Sequence, residues 1–221
     1  KGIMDRLLRG LAKQPSQKCD PNFVRQIRDK LFAKNAKFGL DLVALNVQRG
    51  RDHGLPSYAE FREFCGFGKV KKFSDLKKDI PSKSRDALKD VYESVRDIDL
   101  FMGIVMEKPR FGAIIGRTGR CLLGEQFQRL KFGDRYWYEN GESKKIRFTK
   151  KQLNEIRKTK LSRVICDNSA VETIQPYVFL KSSSSSSKSS GKKCNPWAKK
   201  ISKNKRISCK KDSKRIPKLN L

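Results

Sequence analysis

The chain has 221 residues, enough for one ordinary domain or two small ones, and 37% of them are hydrophobic, enough to bury at least one core. Lys and Arg number 52 against 23 Asp and Glu, a net charge of +29, so the surface repels itself and attracts polyanions, acidic glycans or anionic membranes. No run of 18 apolar residues occurs, which excludes a membrane-crossing helix, and Lys1-Gly2-Ile3-Met4 opens no signal-peptide apolar region; a chain that starts on Lys is expected to be part of a longer protein.

Residues 22–37 place Val24, Ile27 and Leu31 at helical spacing behind Pro21 and Asn22, which predicts a first helix. Residues 38–49 predict a second, with apolar groups on nearly every side; that pattern marks a helix buried around most of its circumference and broken by Gly50 and Gly54. Leu42, Leu45, Asn46 and Arg49 share one of its faces. An amide and a guanidinium on an oily face need partners, since leaving them unsatisfied costs about 1–3 kcal/mol for the amide and more for the charge. After a turn at Pro56, Tyr58 to Phe64 predicts a short helix ending near Cys65-Gly66, and residues 82–96 predict another that turns Leu88, Val91, Tyr92 and Val95 to the core. Gly124 to Leu130 reads as helix, and residues 131–141 read as a turn, an aromatic strand-like piece through Tyr136-Trp137-Tyr138 and a second turn. Packing is preferred there to base stacking. Thr149 and Gln152 fit a capping box that launches a helix through Leu153 and Ile156 to Val164.

From Lys181 the composition changes. Ser182 to Ser187, then Lys188, Ser189, Ser190 and Gly191 form a low-complexity linker with nothing to bury. Residues 181–221 carry a net +13, leaving +16 for the first 180. Solvated disorder is the plain reading of this tail and a polyanion-binding arm the sharper one; Cys194, Trp197 and Cys209 argue against complete disorder.

Six cysteines, at 19, 65, 121, 166, 194 and 209, include no C-x-x-C spacing, so zinc, iron–sulfur and c-type haem attachment lack their signatures. Dispersed disulfides and unrelated buried thiols both remain open, and six cysteines allow fifteen pairings. His53 is the single histidine of the sequence. Set in Arg49-Gly50-Arg51-Asp52-His53-Gly54, it reads as a structural or capping residue, and no metal-ligand set is assigned.

Residues 40–58, LDLVALNVQRGRDHGLPSY, resemble the L-D-L-x-A-L-N-x-Q-R-x-R-D-H-G-L-P-x-Y signature of animal haem peroxidases. The likeness extends through Leu8-Arg9-Gly10-Leu11, Phe64-Cys65-Gly66, Asp99-Leu100-Phe101, Gln126-Phe127, Arg163 to Asn168 and Ile216-Pro217. Glu172-Thr173-Ile174-Gln175-Pro176 is similar in particular to arthropod chorion peroxidases and peroxinectins. The resemblance implies a mainly α-helical chain, the C-terminal part of that helical fold, with few short strands and a disordered basic tail. Residues 1–180 would belong to the peroxidase domain, 181–193 to a Ser/Lys-rich linker, and 194–221 to a basic tail with a family-like end.

The same resemblance implies b-type haem, which carboxylates of the family can esterify, and calcium bound further upstream. The proximal histidine and the distal His and Arg of the family also lie upstream of the matched region, so no catalytic residue is assigned in this chain, which alone is expected to be inactive. His53 matches a histidine that is not the axial ligand. Asn46 matches the asparagine that accepts the proximal imidazole N–H, Arg49 the arginine that pairs with a haem propionate, and Leu42, Leu45 and Phe32 apolar residues near the proximal face. Cys65 with Cys121 and Cys166 with Cys209 are the implied disulfides; a Cys166–Cys194 pairing stays open, and Cys19 has no assigned partner. Such bridges imply an extracellular or granule compartment. The expected activity is hydrogen-peroxide-driven oxidation of small donors, halide or phenols including protein tyrosine. The alternative is a non-catalytic cationic secreted protein that keeps part of the fold and binds glycans or matrix. No nucleic-acid motif occurs beyond charge, and the adhesion triplets Arg-Gly-Asp and Lys-Gly-Asp are absent from the sequence.

Overall fold

The computed structural model describes residues 2–181, 205 and 207–209. The expectations for the serine-rich linker, Cys194 and the tail arm, apart from residues 205 and 207–209, lie outside these residues. The chain is mainly helical, and it divides into two compact units, one of residues 18–131 and one of residues 1–17 with 132–221.

In the unit of residues 18–131, the helix expected over 22–37 is one turn, Arg25–Arg28 (here α2, since Ile3–Lys13 of the other unit is α1). Leu31 then pairs with Leu40 as an isolated antiparallel bridge, Leu40 N–H donating to Leu31 O at 2.8 Å. Gly39 backs so closely onto Leu31 that a Cβ would overlap its carbonyl oxygen. This bridge holds Leu40 extended, so α3 starts later than the apolar pattern suggests, at Leu42, and runs to Asp52. Asp41 caps it, its carboxylate accepting from Val43 N–H at 2.8 Å and Ala44 N–H at 3.3 Å. Gly50 does not break the helix. It lies inside α3, which ends with His53 as C-cap and Gly54 at φ +62°, the left-handed turn that a glycine accepts without strain.

Contrary to the pattern of its sequence, α3 has no buried residue. An all-round apolar helix is buried only where neighbours exist, and within this unit it packs on α2 and on α6 (Leu100–Met106), so the remaining apolar positions stay open. Helix α4 (Tyr58–Phe64) begins with a reciprocal capping box between Ser57 and Glu60. A 3-10 turn (Phe73–Lys78) leads to α5 (Ser82–Val91). Helix α5 stops at Val91 instead of 96, because Tyr92 turns extended. Val91 is consequently 78% exposed, not core. The core comprises Tyr58, Ala59, Val70, Leu76, Ile80, Leu88, Val95 and Ile98. Helix α7 (Arg117–Gly133) begins seven residues before the stretch that periodicity marks.

The helices of the other unit are α1 (Ile3–Lys13), α8 (Lys150–Ile156) and α9 (Leu161–Asn168). The Thr149–Gln152 capping box is present, but the helix it starts does not reach Val164: the backbone tightens at Lys158 and Thr159 and is extended at Lys160, giving two helices. The aromatic stretch is not a strand. Trp137 N–H bonds to Asp134 O and Asn140 N–H to Trp137 O, so successive turns consume its backbone donors. The named strands among the described residues are β1 (Thr173–Ile174) and β2 (Ile207–Ser208), antiparallel, with Ile174 opposite Ile207. Val171 and Ile174 form the core of this unit, packed by Leu8, Ile165 and Val178.

Candidate functional site

The face of α3 that the sequence singles out is a groove. Leu42, Leu45, Asn46, Gln48, Arg49 and Asp52 line a cavity of about 260 Å³. Asn46 is half-buried, Arg49 is exposed, and neither side chain has a hydrogen-bond or ion-pair partner among the described residues. The 3.6-residue repeat brings Leu42, Leu45, Asn46 and Arg49 together as expected of a single face. Phe32 is not brought there: it sits at φ +57° in the loop before the Leu31–Leu40 bridge closes, 78% exposed, and does not line the groove.

This donor set fits haem. An apolar strip suits a flat macrocycle, a cation without a carboxylate partner suits a propionate, and an amide without a partner can accept an imidazole N–H. Groups of three or more His, Cys, Asp or Glu able to hold a metal are absent among the described residues.

Asn46 and Arg49 also reach the rim of a larger cavity, about 570 Å³, whose wall includes His53, Leu55, Ile98 and Phe101. His53 is exposed there, and its place in the fold is the C-cap of α3. Beside this cavity α3 is tied to the start of α6. Arg51 donates twice to Asp99, Nε to Oδ1 at 3.0 Å and an Nη to Oδ2 at 2.8 Å, and Tyr92 O–H donates to Asp99 Oδ2 at 2.8 Å. The Arg51 guanidinium, with help from the Tyr92 hydroxyl, holds the Asp99 carboxyl below the usual carboxylate range. Burial, then the hydrogen bond to Asp99, pushes the Tyr92 phenol up to about 12.

Under α4 lies a buried charge cluster that sequence reading does not reveal. Tyr58 O–H donates to Glu107 Oε1 at 2.6 Å, and Thr118 gives Glu107 both its hydroxyl (2.6 Å) and its backbone N–H (2.9 Å). Arg62 donates to Asp79 at 2.8 Å and lies 3.7 Å from Glu107; Arg117 donates to Asp79 at 2.6 Å. Burial and the neighbouring Glu107 charge push the Tyr58 hydroxyl far above the ordinary phenol range. Gly103 and Gly116 make room, since a Cβ on either would overlap the Tyr58 ring or the Glu107 side chain. The local signal is weak because Arg62, Asp79, Glu107 and Arg117 are far apart in sequence.

The disulfides among the described residues are Cys65–Cys121, with Cα atoms 6.1 Å apart, and Cys166–Cys209, at 5.3 Å; Cys19 is exposed and has no disulfide partner among them. The first joins the end of α4 to α7, and the second joins α9 to the end of β2.

Comparison with known proteins places these features in a family. The family description "Animal haem peroxidase" matches residues 1–179. A peroxidase of Drosophila melanogaster is 43% identical over 176 residues, covering 79% of this chain and 25% of its own length. A peroxidasin homologue of Caenorhabditis elegans is 42% identical over 183 residues, 81% of this chain and 14% of its own. Among solved structures, peroxidase A of Dictyostelium discoideum superposes with a TM-score of 0.57 at 36% identity, over 65% of this chain and 28% of that one. The chain therefore spans about a quarter or less of the length of these curated relatives. No helix of the described residues is long and apolar enough to cross a membrane.

Proposed function

The chain belongs to the animal haem peroxidase family, and we propose from that premise that it is the part of an extracellular peroxidase that supports the proximal side of the haem. The observation that carries this reading is the face of α3, where Asn46 and Arg49, beside Leu42 and Leu45, have no partners among the described residues. Haem, when bound, supplies the oxidation by hydrogen peroxide that is passed to small donors, halide or phenols. The chain's own residues hold and tune it. Arg49 provides a permanent cation for a propionate. Leu42 and Leu45 keep that side apolar and exclude water, which strengthens every polar contact made there. The Asn46 amide oxygen accepts the N–H of a proximal imidazole supplied by the rest of the protein; as a neutral acceptor it draws the proton less than a carboxylate would, leaving the imidazole less anionic. The Arg51–Asp99 pair fixes α3, and with it both residues, against α6. The two disulfides support an extracellular setting.

The test is Asn46→Asp in the complete haem-loaded protein. The two side chains are nearly equal in size, so packing is kept while a neutral acceptor is replaced by a charged one. A charged acceptor stabilises ferric iron, and the ferric/ferrous potential should fall in a spectroelectrochemical titration. A potential that stays or rises while haem remains bound removes Asn46 from this role.

A further inference from the structure

Residues 144–151 read Lys-Lys-Ile-Arg-Phe-Thr-Lys-Lys, five cations among eight residues and no acid. In the structure they form the turn before α8 and its first two residues, and Lys144, Lys145, Arg147, Lys150 and Lys151 are all exposed. The neighbouring cations behave differently: Arg157 is paired with Glu139 and Lys158 with Glu155, whereas no carboxylate pairs with any of these five among the described residues. Lysine heads are almost never buried unpaired, so this strip faces solvent. Lys151 also lines a shallow cavity with Asn154, Glu155, Arg157 and Lys158, where the last two cations are already paired, so the unpaired charge ends at Lys151. Two features anchor the strip: the Thr149–Gln152 capping box, and a turn in which Ile146 and Arg147 N–H both bond to Ser143 O. The backbone that carries the cations is therefore ordered before binding, and the ordering cost that remains is that of the side chains.

We propose that residues 144–151 bind a sulfated or uronic-acid-rich glycan chain. An unpaired cationic strip on an ordered surface recognises a linear polyanion by its charge spacing. The choice of polyanion rests on the extracellular reading given above: disulfides form where sulfated glycans are abundant, while anionic lipids concentrate on the cytoplasmic leaflet. Within the strip Phe148 is the single aromatic residue, so the strip itself offers no pair of rings on which successive bases could stack. This surface is distinct from the α3 groove and requires no haem.

The experiment measures binding of the full chain to heparin oligosaccharide across a salt series. The parent is compared with Lys144→Gln/Lys145→Gln/Arg147→Gln and with a control of equal charge loss, Lys77→Gln/Lys78→Gln/Lys83→Gln, from exposed positions in the other unit. Each lost contact lowers the salt slope by about 0.7, so three lower it by about 2 and weaken binding roughly 50-fold at 0.15 M salt. Acetylation of the unmutated chain supplies a second reading: heparin should protect Lys144, Lys145, Lys150 and Lys151 and leave Lys77 and Lys78 reactive. Equal losses in both triple variants, with uniform lysine reactivity, would reduce the effect to net charge and overturn the site. Strip-dependent binding that is tighter to duplex DNA or to phosphatidylserine vesicles than to heparin would overturn the glycan assignment and, for DNA, the extracellular premise. A failed Asn46→Asp test leaves this outcome untouched, because no arm of it reads the haem.

Discussion

Arg62 is 2% exposed and sits among two carboxylates, Asp79 and Glu107, with Arg117 as the second cation, so the cluster is electrically balanced. Arg62→Met keeps the aliphatic stem and removes the charge. Asp79 then retains Arg117 at 2.6 Å, but Glu107 retains only the Tyr58 and Thr118 donors and loses its one nearby cation. Breaking a buried pair costs about 3–5 kcal/mol when a charge is left behind; because one of the two carboxylates is still compensated, the lower end, about 3 kcal/mol, is expected. Two units make a single global transition unsafe to assume, so the assay should be local. Native-state hydrogen exchange at Tyr58, whose amide donates to Ile98 O at 2.9 Å, reads the opening of this core directly. About 3 kcal/mol corresponds to exchange faster by roughly 150-fold. Adding Glu107→Gln should return part of the loss, a coupling of about 1–2 kcal/mol, since it removes the uncompensated charge. Acceleration below about tenfold, together with additive single variants, would refute the view that charge balance organises this core.

Removing the Cys65–Cys121 bridge by double alanine substitution releases a link across 56 residues, and the chain-entropy relation gives a loss of about 4 kcal/mol in the unit of residues 18–131; hydrogen exchange in α4 and α7 should quicken while β1 is unaffected. The Asp99 carboxyl is held below its ordinary range by Arg51, so its contribution to stability is complete above about pH 4 and is lost as pH falls through the lower folded value. Asp99→Asn should flatten this acid limb in a circular-dichroism titration, and an unchanged limb would remove the Arg51–Asp99 tie as its source.

The helical class and the α3 face were legible in the sequence because both are local, written in a 3.6-residue repeat over a dozen positions. What was not legible depended on residues far apart or on missing neighbours. The early end of α5 reflects Tyr92 leaving the helix as its hydroxyl reaches Asp99. The split between α8 and α9 turns on one extended residue, Lys160, amid good helix formers. The one-turn α2 follows from Leu31 finding Leu40 across a loop, a pairing no window of periodicity contains. Burial around α3 was overestimated for the opposite reason: apolar composition says which surfaces need cover, and only tertiary neighbours say which receive it.

The residues of the signature stretch divide by whether the fold employs them. Asp41 caps α3, Arg51 bonds Asp99, His53 ends the helix, Ser57 caps α4, and Tyr58 reaches Glu107. Each has a structural task that explains its residue type. Asn46 and Arg49 have no such task among the described residues. A helix placed only to pack would carry Leu or Ala there, with better propensity and nothing to satisfy. On the reading proposed above, a haem propionate would be the partner of Arg49 and the N–H of a histidine ligand that of Asn46.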